Sequence, residues 1–204
     1  MLMNSTKMSD EWIVDALKRN PCVKLDNGNI RTCPVRLSFP NIFHKGKAIE
    51  EGKEPKYGAT LLFPKNADIS VLRAEATAVA YAKWPQLKEG VSVGALHSPF
   101  KDQGDKSQFE GNICVSAYAD RKPPAVDARL APLVDEDRIY PGVWAIVTLR
   151  CFDFDVKVKK GVSFGLQSVM IIADDTQLGG GGSDPAADYA GINIDQTVNP
   201  SSLF

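Results

Sequence analysis

Cations and aromatic rings alternate with apolar residues along the most strand-like stretch of the sequence, residues 143–152. Side chains of a β-strand alternate between its two faces, so Arg150 and Phe152 share one face and Val147 and Leu149 share the other. Guanidinium groups neutralise phosphates and release counterions, and exposed rings stack on unpaired bases of any identity. The pattern therefore predicts a surface for single-stranded nucleic acid.

Further cations and rings lie on the non-core faces of other predicted strands or in the loops beside them. The predicted nucleic-acid interface consists of Arg36, Lys56, Tyr57, Phe100, Lys101, Tyr118, Arg121, Lys122, Arg150 and Phe152. Most single lysines on a protein surface serve only solubility, so the hypothesis depends chiefly on the last two residues. Trp144 and Ile146 share their face, but they alternatively belong to a second small core under the helix.

No catalytic pattern is found in the sequence. The phosphate-binding GxxxxGK[ST] loop and the GxSxG elbow are both missing, and His44 and His97 have no evident paired nucleophile. The cysteines at positions 22, 33, 114 and 151 lack zinc-ligand spacing, which favours free thiols in a reducing compartment. We therefore expect a protein that is not an enzyme and needs no metal or cofactor. The carboxylates that leave a magnesium-dependent nuclease as an alternative are Asp102, Asp105, Asp120 and Asp127.

The elements that would position these residues are five strands and one long helix. Alternating hydrophobicity predicts strands at residues 33–39, 56–63, 112–120, 143–152 and 162–172. In these strands, Phe39, Met170 and Ile172 are assigned to the core. Helical spacing from Ile69 to Trp84 predicts the long helix, capped by Asn66 or Asp68, and a short helix follows Ser9. The predicted fold class is mainly β (α+β), an OB-like five-stranded barrel with one long helix.

Charge is distributed unevenly along the chain. All 24 Lys and Arg residues lie at or before Lys160, whereas the last 31 residues contain five Asp and no basic residue. We divide the chain into an N-terminal extension (1–31), an OB-like domain (32–173) and a flexible acidic tail (174–204) with a glycine linker at 179–182, and residues 1–173 together have a net charge of +4. Such a tail is expected to compete with a polyanion for the body.

The tail ends in two apolar residues after a polar, acidic stretch. Asp195, Leu203 and Phe204 are therefore predicted to form a docking peptide for a protein partner, with an idle disordered terminus as the alternative. The apolar runs are too short to cross a bilayer, and residues 1–8 lack a secretory apolar stretch. We expect a cytoplasmic protein, in the host cytoplasm if a phage encodes it.

Several blocks of the sequence resemble, in order, a phage family known as DUF2815. They are residues 35–43 (VRLSFPNIF), 57–65 (YGATLLFPK), 98–102 (SPFKD), 140–142 (YPG) and 161–167 (GVSFGLQ), within a resemblance that spans roughly residues 33–180. The family is similar to phage single-stranded-DNA-binding proteins with an OB-type fold. The resemblance implies a role in DNA replication and recombination, and an acidic tail ending in Phe implies recruitment of replication or recombination proteins.

Three hypotheses follow, in order of preference. The first is a sequence-tolerant single-stranded-DNA-binding protein that protects replication and recombination intermediates and self-associates on DNA. The second is a phage structural or assembly protein that does not bind nucleic acid. The third is the metal-dependent nuclease. Binding of single-stranded DNA across a salt series, with and without Mg²⁺, distinguishes them.

Overall fold

A computed structural model describes residues 7–48, 52–102, 109, 111–156, 159–179 and 190. Two helices and nine strands occur in these ranges. They are α1 (Asp10–Arg19), β1 (Val23–Lys24), β2 (Ile30–Arg31), β3 (Val35–Asn41), β4 (Tyr57–Pro64), α2 (Ser70–Lys83), β5 (Phe100–Asp102), β6 (Asn112–Ala119), β7 (Ala125–Val126), β8 (Trp144–Val156) and β9 (Lys159–Ala173). The protein is mainly β, as predicted.

Five of the strands form a closed ring of pairings. β3 pairs with β4, β4 with β6, β6 with β9, β9 with β8, and β8 with β3. The β6–β9 pairing is parallel and the other four are antiparallel, so the sheet is mixed. These five strands correspond to the five predicted from the sequence.

The two helices also form where the sequence predicts them. Ser9 caps α1 by accepting a hydrogen bond from the backbone N–H of Trp12 at 3.2 Å. In front of α2, Asp68 accepts one from the N–H of Ser70 at 2.8 Å. Leu72 and Ala76 form the buried side of α2, which packs against the central sheet. None of the helices in the described ranges is long and apolar enough to cross a membrane.

The ring encloses the main hydrophobic core. Val35, Leu61, Val115, Val147 and Phe164 point into it from the five strands and are almost completely buried. The alternation seen in the sequence therefore identifies the inner face correctly along most of each strand.

Two β-bulges reverse that alternation, and both produce errors in the predicted core. The pairing of β3 with β4 shifts between Ser38 and Asn41, and Phe39 is turned outward with 56% of its surface exposed. The pairing of β8 with β9 shifts at Thr148 and Leu149, so Val169 and Ile171 are buried instead of the predicted Met170 and Ile172. An extra residue in one strand changes the face of every side chain beyond it.

The chain stays packed for five residues beyond the predicted start of the tail at 174. Asp175 is 2% exposed, Leu178 packs beside Leu62 and Cys114, and the N–H of Leu178 donates to the carbonyl of Pro141 at 2.8 Å. We call residues 174–178 the C-terminal strap. Its contacts extend the packed body at least to Leu178.

Candidate nucleic-acid interface

Five of the predicted interface residues surround one open groove. Lys56, Tyr118, Arg121, Lys122 and Phe152 line it, although they come from three separate parts of the chain. The groove has a volume of about 530 Å³, and its floor is the stretch of β9 from Ser163 to Gln167. We call this feature the basic groove. It combines cations, rings and small polar groups at one surface.

The Tyr118 ring lies close against the backbone of β4 because the opposite residue has no side chain. Gly58 is paired with Tyr118 across β4 and β6. A Cβ atom on Gly58 would lie 2.5 Å from Cδ1 of Tyr118 and 2.5 Å from the carbonyl oxygen of Ala117. Any larger residue at position 58 would therefore displace both the ring and the strand beneath it.

The cations of the groove come from the turn after β6, which contains Arg121 and Lys122, and from Lys56 just before β4. Lys56 Nζ lies 3.0 Å from the Asp120 carboxylate, and the two side chains are 40% and 82% exposed, so this ion pair contributes little stability. Arg121 is exposed, and Lys122 Nζ lies 4.5 Å from the ring centroid of Phe43. The cation–π contact holds the Lys122 side chain against the segment that follows β3.

Arg150 and Phe152 project from the same face of β8, as the alternation predicts. Both are exposed, and Phe152 retains 45% of its surface. Phe152 lines the basic groove, whereas Arg150 lies one pleat away, with Nη1 3.5 Å from the carbonyl of Asn27. Trp144 and Ile146 are buried, and Trp144 packs edge-on against Trp12 of α1 at 5.5 Å. Both side chains are therefore buried rather than available to a ligand, and Trp144 lies against α1 instead of under the long helix.

Phe100 and Lys101 belong to a second groove, at the other end of β6. It has a volume of about 580 Å³, and Lys65, Arg73 and Asn112 also line it. The Phe100 ring packs at 5.9 Å from the core residue Phe164, and the Arg73 guanidinium covers it at 4.7 Å. A base could stack on Phe100 only after Arg73 had moved, so the two grooves differ in how accessible their rings are.

The surroundings of the second groove are strongly positive. Desolvation lowers the pKa of His97, and the positive charges of Lys101 and Lys159 lower it further. The lowered pKa favours the neutral form of the His97 imidazole, and the positive charges that line this groove belong to Lys65, Lys101 and Arg73.

Arg36 occupies a different environment from the one predicted. Its Nε donates to the carbonyl of Gly142 at 2.9 Å and lies 3.6 Å from the Asp175 carboxylate, and Nη2 donates to the carbonyl of Thr176. Burial lowers the pKa of the guanidinium, while Asp175 and Tyr140 oppose that shift. Arg36 is thus engaged by the C-terminal strap, so we leave it out of the proposed interface.

The remaining predicted residues fall outside both grooves or outside the described chain. Tyr57 is half-buried at the first position of β4, opposite Ala119. Asp195, Leu203 and Phe204 lie outside the described residues, as does Asp105. Asp127 accepts hydrogen bonds from the backbone N–H groups of Arg129 and Ala131, so it closes its own loop. Among the described residues, no three His, Cys, Asp or Glu side chains lie close enough together to hold a metal ion.

The cysteines are free thiols, as predicted. Cys22, Cys33 and Cys114 are buried and Cys151 is half-buried. Burial raises the pKa of Cys151 to about 12. Cys22 Sγ accepts a hydrogen bond from the N–H of Cys33 at 3.1 Å, and the pKa of Cys22 is lowered chiefly by its interaction with Cys33.

Sequence reasoning missed several residues of the groove. Ser163, Gly165 and Gln167 form its floor, and Phe43 supports Lys122. The sequence does indicate that residues 163, 165 and 167 of β9 face outward, because they alternate with the apolar residues Phe164 and Leu166. The Phe43 contact had no signal, because it joins residues 79 positions apart through a loop.

Solved structures with this fold include phage proteins. The single-stranded DNA-binding protein from bacteriophage Enc34 in complex with ssDNA has 23% identity and a TM-score of 0.65, covering 87% of this chain and all of that one. A second structure of the single-stranded DNA-binding protein from bacteriophage Enc34 has 24% identity and a TM-score of 0.63, covering 83% of this chain and 94% of that one. Gp2.5, a single-stranded DNA-binding protein encoded by bacteriophage T7, has 19% identity and a TM-score of 0.56, covering 84% and 98%. These likenesses concern the fold.

No curated protein sequence matches the chain. A family model does, over residues 28–199, which is most of the sequence and includes every strand of the ring. Its description is "Enterobacter phage Enc34, ssDNA-binding protein". The chain therefore belongs to the Enc34 family of phage single-stranded-DNA-binding proteins.

Proposed function

We propose that this protein binds single-stranded DNA without regard to sequence and protects it during phage DNA replication and recombination. The observation that carries the proposal is the basic groove, where Lys56, Arg121 and Lys122 stand around the rings of Tyr118 and Phe152. Membership of the Enc34 family supports the same ligand.

The groove accounts for binding that tolerates any sequence. Lysine and arginine side chains contact phosphates, which are the same at every nucleotide, and their contacts position the strand without reading it. The rings of Tyr118 and Phe152 present faces on which any base stacks. The floor of Ser163 and Gly165 is small and polar, which leaves room for bases between the two rings.

The ring of strands supports the interpretation of the fold as an OB-type barrel. In chain order the five strands are β3, β4, β6, β8 and β9, and the first three pair consecutively. The last strand then pairs in parallel with the third and antiparallel with the fourth, which closes on the first. A small, partly open five-stranded barrel of this kind binds oligonucleotides on its outer face.

We propose no enzymatic activity and no cofactor. The protein acts, on this proposal, in the host cytoplasm where phage DNA is copied. Residues 179–204 serve as the acidic tail, with Asp195, Leu203 and Phe204 as the contact for a replication or recombination protein. The sequence of the tail supports this part of the proposal, since those residues lie outside the described structure.

Fluorescence anisotropy with a labelled oligonucleotide tests the function directly. Full-length protein is titrated against oligo(dT), a mixed-sequence strand and the matching duplex at several salt concentrations, with Mg²⁺ or with EDTA. We expect similar affinities for both single strands and a linear fall of log K with log salt. The strands should stay intact on a denaturing gel.

Other results would favour the other hypotheses. Failure to bind DNA at low salt would favour the second hypothesis, a structural or assembly role in the phage particle. Cleavage that requires Mg²⁺ would indicate a nuclease. A strong preference for one sequence would contradict phosphate contact and stacking as the basis of recognition.

A further inference from the structure

Phe39 is a large apolar side chain held in solvent by its backbone. It lies inside β3, yet 56% of its surface is exposed. Its φ angle is +47°, a left-handed conformation that is strained for a residue with a side chain. Such strain persists only where the surrounding structure imposes it, and it concentrates at binding sites.

The neighbours of Phe39 hold it in this position. The Asn41 side-chain amide donates to the carbonyl of Phe39 at 3.0 Å, which stabilises the bulge. On one side, the Phe39 ring meets the edge of Phe109 at a centroid distance of 6.3 Å and an angle of 67°. Phe109 is itself buried beside Leu62 and Cys114. One side of the Phe39 ring therefore rests on a fixed support while more than half of its surface remains in water.

Phe39 lies on the same surface as the basic groove. Asn41 pairs with Gly58, and Gly58 pairs with Tyr118. Two strand spacings of about 4.8 Å separate Asn41 from Tyr118, so the distance between the Phe39 region and the groove is on the order of 10 Å. Phe43, just beyond β3, contacts Lys122 of the groove at 4.5 Å. The segment that contains Phe39 therefore adjoins the basic groove.

We propose that Phe39 is a further base-stacking residue, which extends the path of single-stranded DNA from the basic groove across β6 and β4 to β3. The inference rests on the proposed function and adds to it one stacking residue and the direction in which the DNA crosses the sheet. Thr60 and Ser116 lie between the rings of Phe39 and Tyr118, with their hydroxyl oxygens 3.4 Å apart. Because these side chains are short, they do not sterically block a nucleotide chain that crosses this face of the sheet.

Two substitutions separate loss of the ring from loss of the fold. Phe39→Gly removes the ring and also relieves the strain, because glycine adopts positive φ freely. Phe39→Ala removes the ring and keeps the strain. Tyr81→Ala is the matched control, since Tyr81 is a partly exposed ring on α2 that lines neither groove. Each variant is titrated with a labelled oligo(dT), and its melting temperature is recorded.

We expect Phe39→Gly and Phe39→Ala to weaken binding about 5- to 150-fold, the range for one lost stacking contact. Phe39→Gly should melt no earlier than the wild type. The salt dependence should keep its slope, since no charge is removed. Tyr81→Ala should bind as the wild type does.

A spectroscopic measurement gives a second, direct readout. The indole introduced by Phe39→Trp should be quenched when oligo(dT) binds, beyond any change seen in the wild-type protein. If the wild type binds DNA while both ring-removing variants bind equally well and the indole is not quenched, Phe39 has no contact with DNA and the proposed function stands. If the wild type itself fails to bind, both proposals fall.

Discussion

In the proposed interface, we expect each side chain to contribute either charge or base stacking. Lys56 forms an exposed pair with Asp120, and Lys122 rests on Phe43, whereas Phe152 has a free ring on the groove wall. Charge contacts give affinity that falls with salt, and ring contacts give affinity that persists. Substitutions of the two kinds should therefore be distinguishable in one salt series.

Phe152→Ala should weaken oligonucleotide binding by about 1–3 kcal/mol, because a stacked ring is lost. The slope of log K against log salt should stay the same. Arg150→Ala should instead reduce that slope by about one ion. Anisotropy titrations at four salt concentrations measure both. Normal binding combined with a much lower melting temperature would mean that these residues stabilise the core, contrary to their exposure.

Reversal of the charges at Arg121 and Lys122 to Glu should lower the affinity for all single strands by similar factors, because phosphate contacts contain no base information. The control is the same reversal at Lys18 and Arg19, two basic residues of the last turn of α1 that line neither groove. Both variants change the net charge by four units, so a general electrostatic effect would appear in both. A loss confined to one sequence would indicate base readout at this turn.

At the scale of elements, the C-terminal strap joins both ends of the folded body. The buried Asp175 carboxylate accepts hydrogen bonds from the Trp144 indole at 2.7 Å and the N–H of Met8 at 3.2 Å, and it pairs with Arg36. The backbone N–H of Asp175 donates to the Tyr140 hydroxyl at 2.9 Å. The strap is thus fixed by a carboxylate with several partners.

Asp175→Asn should destabilise the protein by about 1–3 kcal/mol, since it removes the charge opposite Arg36 and leaves buried donors poorly matched. Urea unfolding followed by tryptophan fluorescence measures the change, because Trp144 lies in the affected contact. The control is Asp174→Asn, a half-buried neighbour whose amide oxygen can still accept from Tyr140. Equal stabilities for Asp175→Asn and the wild type would show that the strap is not held by this carboxylate.

The elements that the sequence predicts well are those with long, regular alternation. All five ring strands and both helices were located within a few residues, and β8 and β9 extend further than predicted. β1, β2 and β7 have two residues each and β5 has three, too few for any period to show. These strands form only because a partner strand is already in place.

The errors in the predicted site have tertiary causes. The alternation assigns Phe39 to the core because Phe39 and Leu37 are two residues apart and should share a face. The bulge that turns Phe39 to the opposite face is not visible in the local pattern of hydrophobic residues. Arg36 has the right parity for an outward position, yet its partners Gly142 and Thr176 lie more than 100 residues away along the chain. Patterns within one strand identify a face, and the fold decides what else covers that face.

For the whole molecule, the distribution of charge predicts a salt-dependent competition. Asp174 and Asp175 belong to the C-terminal strap, and Asp175 is buried and paired. The acidic charge of residues 179–204 therefore comes from Asp184, Asp188 and Asp195. The glycines at 179–182 tether these residues to the body, at an effective concentration in the millimolar range. Competition with DNA is strongest where salt screens least.

Deletion of residues 180–204 should raise the affinity for single-stranded DNA at low salt, with a difference that shrinks as salt is added. Removal of Leu203 and Phe204 alone keeps every aspartate and should leave DNA binding nearly unchanged. Both proteins keep the strap, so their melting temperatures should equal that of the full chain. Equal low-salt affinities for all three proteins would exclude competition by the tail.

The closure of the ring has a consequence for how the chain acquires its structure. β9 pairs with both β8 and β6, and it is the last strand in the part of the chain that the structure describes. During synthesis, β6 and β8 must therefore wait with open edges, which are templates for association with other chains. Contacts between distant segments also slow folding. We expect the nascent protein to depend on chaperones until β9 is complete, and chains interrupted after residue 156 to aggregate.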